Sequence, residues 1–222
     1  MKGAPEFSHA VLPGKPVPRS FFLRPPEAVA PELIGKLLIR LPDPPPALGA
    51  TGRIILRITE TEAYGADDPA SHSFRGPTAR NRAMFARGGC VYIYFIYGMH
   101  YCLNIVTEEE GRGSAVLLRS AEPLEGQELM AARRFKNRPP EKGGEGLLTC
   151  GPGRLAGALG LNREHDGLGL NEGFLLLRDD GWTPPRRLAS SPRIGITKAP
   201  EKRLRWYLPD SPWVSGQRGG RG

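Results

Sequence analysis

Two glutamates, Glu60 and Glu62, lie two residues apart in the segment 53–64 (RIILRITETEAY). The segment is rich in Ile and Thr and reads as a strand. Its even positions, Ile54, Leu56, Ile58, Glu60, Glu62 and Tyr64, then share one face. Three apolar side chains followed by two carboxylates and a phenol admit two readings: the strand end emerges into solvent, where acids are unremarkable, or the sheet opens there into a cleft. In a cleft, a carboxylate can take a proton from water and stabilise a cationic transition state.

An aromatic cluster gives a second, independent signal. Residues 91–106 are dense in aromatic and β-branched side chains, with Tyr92, Tyr94 and Tyr97 crowded together. Gly98-Met99 suits a two-residue type II′ turn, so the segment is expected to form a β-hairpin. Its tip, Tyr97-Gly98-Met99, is apolar where turns are ordinarily polar. One reading packs Tyr97 and Met99 inward on the core. The other presents them as a wedge, and an apolar wedge within a basic surface is how proteins prise apart stacked bases from the minor groove. The neighbouring stretch 73–87 carries Arg75, Arg80, Arg82 and Arg87 and no acid.

The rest of the chain must position these groups. Pro25 and Pro26 open an expected short helix that runs into a strand at 36–41, and 41–52 is a Pro/Gly loop. A strand is expected at 115–120, a helix at 122–135, a flexible loop at 136–146 and a short helix at 152–159. Late strands are expected at 174–178 and 193–197. Residues 1–18, with four prolines, read as a flexible arm, 19–215 as one domain and 216–222 as a disordered basic tail. Strands outnumber helices without regular β-α alternation, which predicts the α+β class.

Composition narrows the partners. Lys and Arg number 31 against 23 acids, a net charge of +8, and residues 186–222 hold nine basic side chains against Glu201 and Asp210. A polyanion is the default partner for such a chain, although charge alone does not prove one. Three cysteines without C-x-x-C spacing suggest neither a disulfide framework nor zinc, and the histidines form no H-E-x-x-H pair. No secretory leader and no run of about 20 apolar residues is present, so an intracellular, soluble monomer is expected.

Several strings occur in register over residues 20–215: ETEAY at 60–64, HS at 72–73, RNRAMF at 80–85, YIYFIYGM at 92–99, CLNI at 102–105, VLLRSAEPLEG at 116–126 and SPWVS at 211–215. In this order and spacing the chain resembles the alkyladenine, or 3-methylpurine, DNA glycosylase family. The resemblance implies one mixed domain with a curved antiparallel sheet, surrounding helices and a protruding hairpin that enters the minor groove. It implies Glu62 as general base, with Arg119 helping to hold the attacking water and the backbone carbonyl of Ile194 completing that water site. Tyr64, His72 and Tyr94 then line the pocket for a flipped base, Asn104 screens purines by their exocyclic groups, and Tyr97 fills the gap left in the duplex. Arg80 and Arg82 are candidates for phosphate contacts.

The implied partner is double-stranded DNA containing damaged purines, with no metal and no cofactor. The matched motifs contain no pocket lysine, so hydrolysis to an abasic site is expected rather than strand cleavage. His100 departs from the aromatic residue that usually follows Gly-Met in the family. Two other readings stand beside this one. A non-catalytic nucleic-acid-binding module would use the same basic surface without needing Glu62. Gly151-Pro152-Gly153 also suits a helix-hairpin-helix turn, but the rest of that motif is missing.

Overall fold

A computed structural model describes residues 12–42, 52–135 and 145–216. The expected loop at 41–52 and that at 136–146 fall largely outside them, as do most of the N-terminal arm and nearly all of the C-terminal tail.

The long strand Ile54–Tyr64 (β3) is the spine of the domain, and all its residues but Tyr64 are buried. It earns that position by composition: Ile and Leu supply apolar surface, while the threonines bond to the elements that cover it. Thr61, for example, donates to the Ala30 carbonyl at 2.9 Å. Among the described residues, two further strands precede it, Lys15–Pro16 (β1) and Leu37–Arg40 (β2). After it come Val91–Ile96 (β4), His100–Thr107 (β5), Ser114–Glu125 (β6), Leu175–Asp179 (β7), Ala189–Ser191 (β8) and Arg205–Tyr207 (β9). Every pairing is antiparallel. The sheet curls through the order β1-β7-β2-β3-β6-β5-β4, with β9 joining β3 to β8.

Among the described residues, four α-helices surround this sheet: Arg19–Phe22 (α1), Pro26–Leu33 (α2), Gln127–Phe135 (α3) and Pro152–Leu159 (α4). The main core joins Leu33 of α2 and Leu155 and Leu159 of α4 to Leu56, Ile58, Ile93, Leu103, Ile105 and Leu118 of the strands. Sequence marks both ends of α4. Pro152 occupies its first turn and Gly160, at φ +64°, ends it in a left-handed conformation. Gly151-Pro152-Gly153 is therefore a helix start. The result is the α+β domain expected.

Four local expectations need correction. The helix expected from residue 122 begins at Gln127, because residues 122–125 extend β6 along β3 and Glu122 pairs with Arg57. Long antiparallel pairing overrides the local helical preference of Glu and Leu there. Residues 193–197 form no strand; β8 and β9, too short to show periodicity, flank that segment instead. The hairpin connection has three residues, since Ile96 faces His100 across it. Tyr97 and Gly98 both adopt positive φ, +53° and +68°, so the turn is not type II′. Finally, the end of the expected arm is not free, because Lys15 and Pro16 pair with Asp179 and Arg178.

Candidate active site

The two glutamates reach their places through irregular pairing. Against β6, β3 shifts register between Ile58 and Glu60 and again between Glu60 and Thr61. Such bulges re-aim side chains. Both glutamates end with 0% exposure, yet they meet different surroundings, which excludes the solvent-exposed strand end.

Glu60 is saturated with donors. Its Oε1 accepts from Arg119 Nε at 2.9 Å, Arg205 Nε at 2.6 Å and the Ser215 hydroxyl at 2.9 Å. Its Oε2 accepts from the Ser120 hydroxyl at 2.9 Å and the Ser215 N–H at 2.6 Å. Burial alone would raise its pKa, but Arg119, Arg205 and these donors hold the carboxyl below the usual range. Glu60 is a structural anchor that ties β3, β6, β9 and the segment at Ser215 together.

Glu62 keeps capacity in reserve. Its Oε1 accepts the Ile194 N–H at 2.8 Å, and its Oε2 accepts the Tyr64 hydroxyl at 2.9 Å and lies 3.2 Å from Arg119 Nη1. A carboxylate offers about four acceptor sites, so one remains on Oε1. Burial pushes the Tyr64 phenol well above its ordinary pKa, with Glu62 adding to the shift, and Tyr64 stays a donor. Burial would lower the Arg119 pKa, but Glu62 and Glu60 outweigh it and keep the guanidinium charged.

Glu62 lies on a cleft of about 780 Å³ also lined by Tyr64, His72, Tyr92, Tyr94, Asn104, Arg119 and Ile194. Tyr94 meets the His72 ring edge-on at 4.5 Å and stacks on Tyr92 at 5.6 Å. His72 Nδ1 pairs with the Tyr92 hydroxyl at 3.0 Å, and burial lowers the His72 pKa, favouring the neutral ring. Asn104 donates Nδ2 to the Tyr92 carbonyl at 3.0 Å. The cleft mouth carries Tyr97, 79% exposed, beside Met99, 69% exposed, so these residues do not pack inward. Arg80 and Arg82 are exposed and make no ion pair among the described residues.

The structure thus brings Glu62, Tyr64, His72, Tyr94, Asn104, Arg119 and Ile194 into one cleft, with Tyr97 at its edge and Arg80 and Arg82 on the surface. At Ile194 the backbone N–H turns toward Glu62. Lys198 also borders the cleft, although the motifs placed no lysine there. Sequence reasoning missed Tyr92 as a pocket residue, although it shares alternate strand positions with Tyr94. It also missed Asp68, Arg193 and Arg205, which no local pattern marks. Ser215 was visible only as the last residue of SPWVS. No group of three His, Cys, Asp or Glu side chains able to hold a metal occurs among the described residues. No helix there is long and apolar enough to cross a membrane.

A curled sheet that sinks one carboxylate into an aromatic cleft, beneath an exposed aromatic turn, is the framework of a DNA glycosylase. The family model for methylpurine-DNA glycosylase matches residues 20–212. A protein of Burkholderia orbicola is 45% identical over 93% of this chain and 94% of its own length, and one of Koribacter versatilis is 44% identical over 91% and 94%. A third, from Methanocella arvoryzae, is 43% identical over 90% and 95%. All three are provisionally named 3-methyladenine DNA glycosylase. The chain belongs to the methylpurine-DNA glycosylase family.

Proposed function

We propose that the chain flips alkylated or otherwise damaged purines out of duplex DNA and hydrolyses the N-glycosidic bond, leaving an abasic site. The observation that carries this reading is Glu62: buried at an aromatic cleft, oriented by three donors, with one acceptor position left for water. Its proposed substrates are 3-methyladenine, 7-methylguanine, ethenoadenine and hypoxanthine.

Flipping costs about a few kcal/mol and least for a damaged or mispaired base. Tyr97 offsets that cost by stacking in the vacated site, a contact worth about 1–3 kcal/mol. Tyr64 and Tyr94 then flank the extruded purine, and cationic alkylated rings gain most from their electron-rich faces.

Glu62 accepts a proton from water as water attacks the anomeric carbon, and its negative charge favours the oxocarbenium-like state. Arg119 orients Glu62 and the water, while Glu60 balances the charge of Arg119 from behind. A purine alkylated at N3 or N7, such as 3-methyladenine or 7-methylguanine, already carries positive charge in the nucleotide and departs without an acid. For a neutral base a side chain or water has to supply the proton; His72 is the candidate side chain, and it acts only after taking up a proton against the burial that favours its neutral ring.

Arg80 and Arg82 hold phosphates without reading sequence, so affinity falls steeply with salt. The cleft is completed within one chain, which suits a monomer acting wherever the cell's DNA is. The test is a panel of duplexes, each with one defined lesion. Excision should yield alkali-labile sites and no strand break before alkali. Failure to release any damaged purine would contradict the reading.

A further inference from the structure

Two of the three donors to Glu62 stand next to one buried cation, Arg193, which is not part of the cleft lining. Arg193 has a fully buried side chain, and Asp68 is only 4% exposed. Their pairing is a two-bond fork: Arg193 Nη1 donates to Asp68 Oδ2 and Nη2 to Oδ1 at 3.1 Å. Asp68 is itself fixed by the Ala70 N–H at 3.0 Å. The same Nη1 donates to the Ala63 carbonyl at 2.9 Å, between Glu62 and Tyr64 on β3. The guanidinium carbon lies 4.6 Å from the Tyr64 ring centroid, and the next residue along the chain supplies the Ile194 N–H to Glu62.

Residues 192–198 belong to no strand and make no backbone–backbone hydrogen bond among the described residues. Arg193 is the buried member of this segment, with exposed residues on either side. An apolar side chain would anchor the segment without the desolvation cost of a cation. A guanidinium fork adds direction, because its planar geometry fixes both the pair and what is attached to it.

We propose that Arg193, clamped by Asp68, is the positioning residue that aims the Ile194 N–H and the Tyr64 hydroxyl at Glu62. The inference rests on the reading of Glu62 as the base. Losing the fork lets both donors drift while the cleft and the DNA-binding surface persist. A displacement of about 1 Å can cost a reaction about 10²-fold.

The test compares Arg193→Met, Arg193→Lys and Asp68→Asn with wild type by single-turnover release of ethenoadenine, Kd for the lesion duplex and thermal melting. Arg193→Met should lose about 10²-fold in rate with Kd unchanged, and Arg193→Lys should recover part of the loss. Should Arg193→Met not fold, Arg193→Lys and Asp68→Asn decide by the same comparison. Wild-type rates, or rate, affinity and melting falling together, overturn the proposal. Glu62→Gln is the control. An inactive Glu62→Gln beside fully active Arg193 variants sinks the clamp alone, whereas a fully active Glu62→Gln sinks the reading of the base.

Discussion

Glu60 and Glu62, two residues apart on β3 and both buried, share one guanidinium: Arg119 donates Nε to Glu60 at 2.9 Å and places Nη1 3.2 Å from Glu62. The two identical side chains meet different partners, five donors around Glu60 and three around Glu62. Removing Glu60 leaves Arg119 and Arg205 short of a buried partner, a loss of about 3–5 kcal/mol. Glu60→Gln should therefore lower stability in urea titrations by that order. Glu62→Gln, which leaves the Arg119–Glu60 bond in place, should destabilise much less.

Acid should unfold the protein through the same network. Glu60 and Asp68 both have folded-state pKa values below the ordinary carboxylate range. Their contribution is fully present above the unfolded-state values, about 4, and is lost as pH falls toward the folded values. The urea midpoint should decline below about pH 4, with a shallower decline in Glu60→Gln. An equal decline in that variant would remove Glu60 from the account.

Tyr97 is exposed in a left-handed conformation, so truncation costs the fold little. Tyr97→Ala should leave melting unchanged and weaken flipping by the stacking contribution, about 1–3 kcal/mol. The measure is 2-aminopurine fluorescence beside a lesion. Unchanged flipping would contradict the wedge role.

Asn104 is buried beside the cleft with its amide tied to the Tyr92 carbonyl. Asn104→Ala removes the proposed screen against exocyclic groups and should gain activity on guanine-type bases in substrate competition. No gain would end that role.

Much of this could be read from the chain because the site follows short, regular patterns. Period two placed Glu62 and Tyr64 on β3, and the clustered tyrosines announced the hairpin. Position alone could not rank Glu62 above Glu60; the family resemblance did, and the five donors around Glu60 support that proposed ranking. What stayed hidden was long-range. Arg193 and Asp68 are 125 residues apart, and the segment carrying Ile194 is held by that buried pair, which leaves no periodic trace. The helix expected at 122 failed for the same reason, since a distant strand claimed its first residues.

Glu62 itself gives the most direct test. Wild type and Glu62→Gln are incubated, enzyme in excess, with a duplex containing one ethenoadenine, and base release is followed over a single turnover. Loss of a general base should slow release by about 10²–10⁴-fold while the lesion duplex still binds. Equal release by both proteins would contradict the central claim.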